Sequence, residues 1–385
     1  MSTYGQTLNE EQLKPVLEYI LKENIRDTEE NPGTIGTPVC IWGNHGIGKT
    51  QMVEELALAN GWHFAYCAPG QFEEMGDFHG MPRIVNLPDG RSVTESAPPR
   101  WVPAQEGPGI LLLDDINRAD DRILRGIMQL LQNHAMGTWS LPSKWQIVAT
   151  ANPDNGHYSV TSMDEAMLTR LLHFTLTFDA KVWGAWATAK GVDPRGITFV
   201  LSYPETVSGI RTTPRTLTHF FGKIAKIKDL KRDIALVLNL AMACLDEATV
   251  AAFVAFINDD LALLPEPSEI LEAESDEAVE SWKGKLVQLS KGRNGTTRVD
   301  RLSAVLTRVI LHLSQPSFTP DDTSARNFIA LFQMDVIPKD LGIGQYASLH
   351  KTAAHGFKTL IERKDVSTAL GAQFFKELLS VRSRD

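Results

Sequence analysis

Gly43, Asn44, His45, Gly46, Ile47, Gly48, Lys49 and Thr50 form the pattern G-x-x-x-x-G-K-T. They follow the apolar run Val39-Cys40-Ile41-Trp42 and precede a helix-like stretch over 51–60. Strand, glycine-rich turn and helix, in that order, are what a phosphate-binding loop requires. Its glycines let the backbone curl until the N–H groups point inward at phosphate oxygens. The helix adds the unpaired N–H groups of its first turn. Lys49 can then reach the outer phosphates, and the Thr50 hydroxyl can take one position on Mg²⁺.

Two further stretches end in polar groups suited to the same chemistry. The apolar run 109–113 closes on Asp114 and Asp115. A continuous apolar run predicts a central parallel strand covered on both faces, and in such sheets ligands lie at the carboxyl ends of strands. Asp114 is therefore expected beside the phosphate loop as a metal ligand, with capping of the next helix as the alternative. Asp115, one position on, could accept a proton from the attacking water or orient it. It is one methylene shorter than glutamate, so its reach is shorter. Asn152 follows the apolar run 145–150. There its amide could position water or the terminal phosphate, or it could form a simple turn with Pro153.

The elements that must hold these residues can be read from the pattern. A helix is predicted over 8–24, with Leu13, Val16, Leu17 and Ile20 on one side, then a polar connection over 27–37. After the phosphate loop and its helix, Gly61 is placed as a helix stop and 62–67 is a second strand. Residues 72–108 form an insertion containing a hairpin, with strands over 83–85 and 92–94 around Leu87-Pro88-Asp89-Gly90. A helix over 119–134, a short strand over 137–141, the strand 145–150, a short helix over 163–170 and a fifth strand over 172–178 complete the first half. Five strands alternating with helices predict a three-layer α/β domain.

Beyond Phe178 the pattern turns helical over 181–190, 214–227, 231–264, 299–314, 323–332 and 346–380. The acidic, proline-bounded stretch 265–280 reads as an exposed segment or hinge, and 292–297 as a loop. The expected division is an N-terminal helix and linker (1–36), an α/β nucleotide-binding domain (37–180), a small helical lid (181–265) and a helical C-terminal extension (266–385).

The bulk properties fit this plan. The 385 residues exceed one ordinary core. At 43% hydrophobic and 22% charged residues, the composition is that of a soluble globular protein, and every apolar run is too short to span a bilayer. The start lacks the basic-then-apolar pattern of a secretory signal. Cys40, Cys67 and Cys244 lack metal-ligand spacing and read as reduced packing residues, which suits a cytoplasmic protein, the expected localisation. A net charge of −9 argues against a broad nucleic-acid-binding surface.

With these residues in place, the chain resembles an AAA+ ATPase, and more closely the MoxR-like branch. Besides the phosphate loop, residues 112–119 (Leu-Leu-Asp-Asp-Ile-Asn-Arg-Ala) are similar to the branch's strand-end motif. Residues 149–153 (Ala-Thr-Ala-Asn-Pro) are similar to its sensor-1 strand, 163–170 to the segment carrying the arginine finger, and Thr213-Pro214-Arg215 to the sensor-2 helix start. The resemblance implies a P-loop fold and a homo-oligomeric ring, usually a hexamer, with ATP and Mg²⁺ at subunit interfaces. It implies that Arg170 enters a neighbour's site, as a permanently charged planar fork suited to phosphoryl oxygens. Arg215 would touch the γ-phosphate in cis, with Arg211 as fallback. The insertion matches the branch's helix-2 insert, facing the ring's centre or its client.

The function implied is remodelling or activation of a protein client, often with a separate von Willebrand factor A domain protein. Asp115 departs from the branch's usual glutamate, which puts the hydrolysis rate in doubt but not nucleotide binding. Two alternatives come from other classes: a nucleotide-gated assembly switch with negligible hydrolysis, and a nucleic-acid motor or defence-type subunit. GTP could replace ATP, because the loop does not read the base.

Overall fold

The computed structural model describes residues 4–154, 160–208, 211–258, 264–291, 298–313, 318–343, 360 and 362–371. The chain divides into two compact units, Met1–Phe178 and Asp179–Asp385.

In chain order, the first unit contains β1 (Gln6–Leu8), α1 (Glu10–Glu30), β2 (Val39–Trp42), α2 (Lys49–Ala59), β3 (His63–Cys67), α3 (Met75–His79), β4 (Met81–Asn86) and β5 (Ser92–Ala97). It continues with β6 (Gly109–Leu113), α4 (Asp121–Asn133), β7 (Ala135–Met136), β8 (Trp139–Ser140), β9 (Trp145–Ala151), α5 (Glu165–Leu168) and β10 (Leu172–Leu176). Six strands make one sheet in the order β1-β10-β2-β9-β6-β3, parallel throughout.

The three central strands β2, β9 and β6 are buried along their whole length, as their uninterrupted apolar sequences require. Alternate residues of a strand point to opposite faces, and each face has its own cover. Cys40, Trp42, Leu111, Leu113 and Ile147 pack on Ile123, Ile127 and Leu130 of α4. Val39, Ile41, Ile110, Leu112 and Val148 pack on Leu13, Leu17 and Leu21 of α1 and on Met52, Val53 and Leu56 of α2. The result is the three-layer α/β arrangement expected from the sequence.

The expectation of five strands needs correction to six. Leu8, assigned to a helix by its spacing, is the last residue of β1 and pairs with Leu176. Asn9 then starts α1 by capping, its side chain accepting from Gln12 N while the Gln12 side chain accepts from Asn9 N. A three-residue strand is too short to show a period of two. At its other end α1 continues to Glu30, through part of the expected polar connection. The exposed i,i+4 pair of Arg26 with Glu30, at 3.9 Å, reaches into that polar stretch.

The expected hairpin is β4 and β5, somewhat longer than predicted, with Arg83 opposite Glu95 and Ile84 opposite Thr94. Its base is fastened to the β7–β8 turn. Thr138 Oγ1 accepts from Ser96 N at 2.7 Å, and Trp139 Nε1 donates to the His79 carbonyl at 2.9 Å. Phe78 is fully buried there and stacks on Trp101. Ile84 is left 79% exposed.

The second unit is built of helices: α6 (Ala180–Ala189), α7 (Pro194–Ser202), α8 (Pro214–Ile224), α9 (Ile234–Cys244), α10 (Glu247–Asn258), α11 (Pro267–Leu271), α12 (Asp276–Ser290), α13 (Val299–Leu313) and α14 (Asp322–Phe332). Phe199, Phe220 and Phe256 gather around Phe253, the first two edge-on with ring centres 5.0 Å from it. Helix α13 packs against α6 and α7, so residues on both sides of position 265 share this unit.

Three expectations change here. Helix α7, overlooked in the sequence, begins with Pro194 behind the capping carboxylate of Asp193. The single helix expected over 231–264 breaks between α9 and α10, where Asp246 turns its carboxylate to the N–H groups of Arg211 and Thr212. The stretch 265–280 is not simply exposed, because Ile270 and Leu271 are fully buried among Trp282, Val309 and Phe328. Its acidic residues masked that apolar pair. The predicted loop at 292–297, and residues 346–359 and 372–380 of the last predicted helix, lie outside the described residues.

Among the described residues no helix is long and apolar enough to cross a membrane. Cys40, Cys67 and Cys244 are free thiols, and burial pushes the Cys40 and Cys67 thiols well up from their ordinary range.

Candidate functional site

Strand β2 sits inside the sheet, with β9 on one side and β10 on the other. The chain leaves β2 toward the β9, β6 and β3 side and returns across it to β10. That makes the carboxyl end of β2 a switch point, where open α/β sheets hold their ligands. Three segments converge there: the loop after β2, the aspartates after β6 and Asn152 after β9.

Gly46 and Gly48 take left-handed backbone conformations, with φ of +72° and +99°. Gly48 is the N-cap of α2, and no side chain caps that end. The first-turn N–H groups of α2 are thus presented as an anion site. Gly43 has no room for a side chain, since a Cβ there would lie 2.9 Å from the Leu176 carbonyl oxygen, a backbone atom. Asn44 is exposed, while His45 and Ile47 are half-buried.

Lys49 is only 6% exposed. Its ammonium donates to the carbonyls of Gly43 at 2.7 Å and Asn44 at 3.1 Å, and to Asn152 Oδ1 at 3.1 Å. The loop thereby holds its own cation in place, directly beside Asn152. Asn152 is fully buried, and its Nδ2 has no hydrogen-bond partner among the described residues. A buried donor left unpaired is costly, and a ligand acceptor would satisfy it.

Asp114 is surrounded by hydroxyls. Thr50 Oγ1 donates to its Oδ1 at 2.9 Å, Thr150 Oγ1 to the same oxygen at 2.7 Å, and Tyr66 OH to Oδ2 at 3.1 Å. With its proton given to the carboxylate, the Thr50 oxygen keeps lone pairs for a cation. Thr50 and Asp114 therefore fit Mg²⁺, which prefers hard oxygen ligands and keeps several waters. Partial burial, followed by the Asp114 carboxylate, pushes the Tyr66 phenol up to about 12. It stays a donor at neutral pH.

Asp115 has a left-handed backbone at φ 50° and ψ 49°, which costs energy for a residue other than glycine. Its N–H donates to Thr150 Oγ1 at 2.8 Å, and its carboxylate pairs with Arg118 Nε at 3.2 Å.

Arg170 lies just before β10, half-exposed. It donates to the Ala166 carbonyl and, at 3.4 Å, to Gln132 Oε1, and no carboxylate pairs with it among the described residues. Its own segment is tied to the phosphate loop's strand. Trp42 Nε1 donates to His173 Nδ1 at 2.9 Å, which leaves His173 Nε2 to donate to the Leu168 carbonyl at 2.8 Å.

Arg215 belongs to the second unit, exposed in the first turn of α8 and without a polar partner among the described residues. Arg211 is occupied, its guanidinium donating to the Met242 and Ala243 carbonyls at the end of α9.

Lys49, Thr50, Asp114, Asp115 and Asn152 are thus brought together. Sequence reasoning passed over Tyr66, Asn117, Arg118 and Thr150. One signal for Thr150 was available: two positions before Asn152 on a strand, it shares that residue's face.

Residues 38–171 match the family model described as the AAA domain, dynein-related subfamily. This segment has the P-loop α/β fold of AAA domains. AAA+ domains generally bind and hydrolyse nucleotide, usually with Mg²⁺, and typically assemble as rings. No curated protein matches the chain. Among solved structures, a Thermotoga maritima RuvB described as a Holliday junction branch migration motor is similar at 13% identity. Its TM-score is 0.35, over 75% of this chain and 87% of that one. Two single-site mutants of that RuvB give TM-scores of 0.37 and 0.39 at the same 13% identity. They cover 75% and 77% of this chain and 87% and 90% of theirs.

Proposed function

We propose that the AAA domain binds ATP with Mg²⁺ and hydrolyses it at subunit interfaces of a ring, in the manner of the MoxR-like branch, to remodel or activate a protein client. The observation that carries this reading is the contact of Lys49 with Asn152, beside the Thr50–Asp114 pair. A cation, an unmet amide donor and a metal-fitting oxygen pair meet at one strand-end switch point.

In this mechanism Lys49 and the first turn of α2 bind the outer phosphates, while Thr50 and Asp114 hold Mg²⁺. Bound there, Mg²⁺ would supply positive charge to offset that of the phosphates. Asn152 Nδ2 donates to the γ-phosphate or to the attacking water, and Asp115 orients that water and takes its proton. Arg170, which no carboxylate pairs among the described residues, crosses to the adjoining subunit and stabilises charge on the transferred group. Arg215 reports the γ-phosphate to a lid over 181–265. Residues 266–385 act as an extension of that lid, and the β4–β5 hairpin faces the client, with a separate von Willebrand factor A domain protein as adaptor.

The deciding measurement is hydrolysis per subunit as protein concentration rises under saturating Mg²⁺ and ATP. A rate that climbs and levels, and that R170A flattens, supports a site completed by a neighbour. A measurable rate in R170A equal to the wild-type rate at every concentration would remove Arg170 from the mechanism.

One observation favours a second reading, a nucleotide-gated switch with negligible hydrolysis. The Asp115 carboxylate is engaged by Arg118 and is a methylene shorter than glutamate. Tight ATP binding without detectable turnover, at any concentration, would select that reading.

A further inference from the structure

We infer that Thr150 is a positioning residue that sets the two aspartates of the AAA domain through one hydroxyl, and so governs how Mg²⁺ couples to nucleotide binding. The inference rests on the reading of Asp114 as the metal-holding carboxylate.

Thr150 is fully buried in β9, between β2 and β6. Its register places it opposite Ile41 on β2 and one step beyond the Leu113–Ala149 pair, level with Asp114. A buried hydroxyl must find partners, and both of these partners fix its direction by their own chemistry. A carboxylate only accepts, so Thr150 donates to Asp114 Oδ1 at 2.7 Å. A backbone N–H only donates, so Thr150 accepts from Asp115 N at 2.8 Å. The proton on Thr150 therefore has a single orientation.

Each bond has a distinct consequence. The first, with the Thr50 bond at 2.9 Å to the same oxygen, turns the Asp114 carboxylate. The second holds the left-handed turn at Asp115, the only one of the two aspartates with positive φ. No other side-chain hydroxyl among the described residues touches both. Such outer partners commonly change metal affinity when removed, although they never touch the metal. Thr150 makes one strand position responsible for both the orientation of the metal carboxylate and the placing of its neighbour.

The test uses the full chain and isosteric replacements. T150V keeps the β-branched shape and removes the hydroxyl, while T150S keeps the hydroxyl and removes a methyl. The readout is equilibrium affinity for a fluorescent ATP analogue, with Mg²⁺ and with chelator, beside a thermal melt. Affinity in chelator is expected to stay near wild type in both variants. The gain in affinity on adding Mg²⁺ is expected to fall about tenfold in T150V and to return in T150S. If T150V does not fold, T150C, with only a weak donor, takes its place.

An unchanged Mg²⁺ gain in T150V overturns the inference, and so does a loss in T150S equal to that in T150V, since shape rather than hydroxyl would then matter. D114A separates the two layers of the argument. If D114A keeps the full Mg²⁺ gain, the reading of the metal site has failed and the role of Thr150 falls with it. If D114A loses the gain while T150V does not, the site stands and Thr150 alone is excluded.

Discussion

Asn117 grips the backbone of Asn152 with both ends of its side-chain amide, Nδ2 donating to the Asn152 carbonyl at 2.7 Å and Oδ1 accepting from its N–H at 3.1 Å. Both residues are buried. The pair extends the sheet's hydrogen bonding one step past β9 and fixes where the Asn152 side chain starts. N117A leaves two buried backbone groups unmet, at a cost of about 1–3 kcal/mol each in stability. On the proposed mechanism it also displaces Asn152, with a loss on the order of a hundredfold in turnover. Nucleotide affinity should change far less, because Lys49 keeps its bonds to the loop carbonyls. Separate measurements of binding and of turnover at saturation check this; equal losses in both would argue that Asn117 only supports folding.

The ion pair between Asp115 and Arg118 is partly exposed. Such pairs contribute about 0–1 kcal/mol, so releasing Asp115 by R118A should alter turnover by no more than about fivefold. If carboxylate reach is what limits the reaction, D115E should raise turnover by more than about tenfold. Steady-state rates of the two variants, measured side by side, decide between pairing and reach.

His134 ends α4 with a left-handed backbone, and burial holds its imidazole down at about 4. An unfolded histidine titrates near 6.5. Between those values the unfolded chain binds the extra proton, so stability is lost as pH falls from about 6.5 to about 4. H134N removes that titration with a residue that accepts left-handed geometry. Denaturant midpoints of H134N should therefore fall less than those of wild type across this window, and parallel pH profiles would count against the assignment.

Gly80 carries φ +94°, and a Cβ there would lie 2.0 Å from the Ala97 carbonyl oxygen. G80A should force apart the base of the β4–β5 hairpin. Proteolysis within 81–97 should become faster, while nucleotide binding, which uses other segments, stays near wild type. Time-resolved digestion with mass analysis would show it.

The parts of the fold that were legible in the sequence share a physical cause. β2, β6 and β9 are covered on both faces, so their apolar runs announced them, and the phosphate loop carries its chemistry in its spacing. β1 was hidden because three residues cannot display a period, and α7 because its buried residues 196–200 run consecutively and show no helical spacing. In the candidate site, charged groups at strand ends could be anticipated. Thr150 showed only that it shares a strand face with Asn152, and Asn117 showed nothing, since each acts on its neighbours' backbone or on an adjacent carboxylate across strands. Such pairings are set by register rather than by local sequence.

The Trp42–His173–Leu168 chain of hydrogen bonds joins the strand leading into the phosphate loop to the segment that presents Arg170. If that arginine serves an adjoining subunit, a subunit cannot alter its own nucleotide loop without disturbing what it lends next door. Events at successive sites would then be ordered in time around the assembly, each subunit's state setting its neighbour's turn.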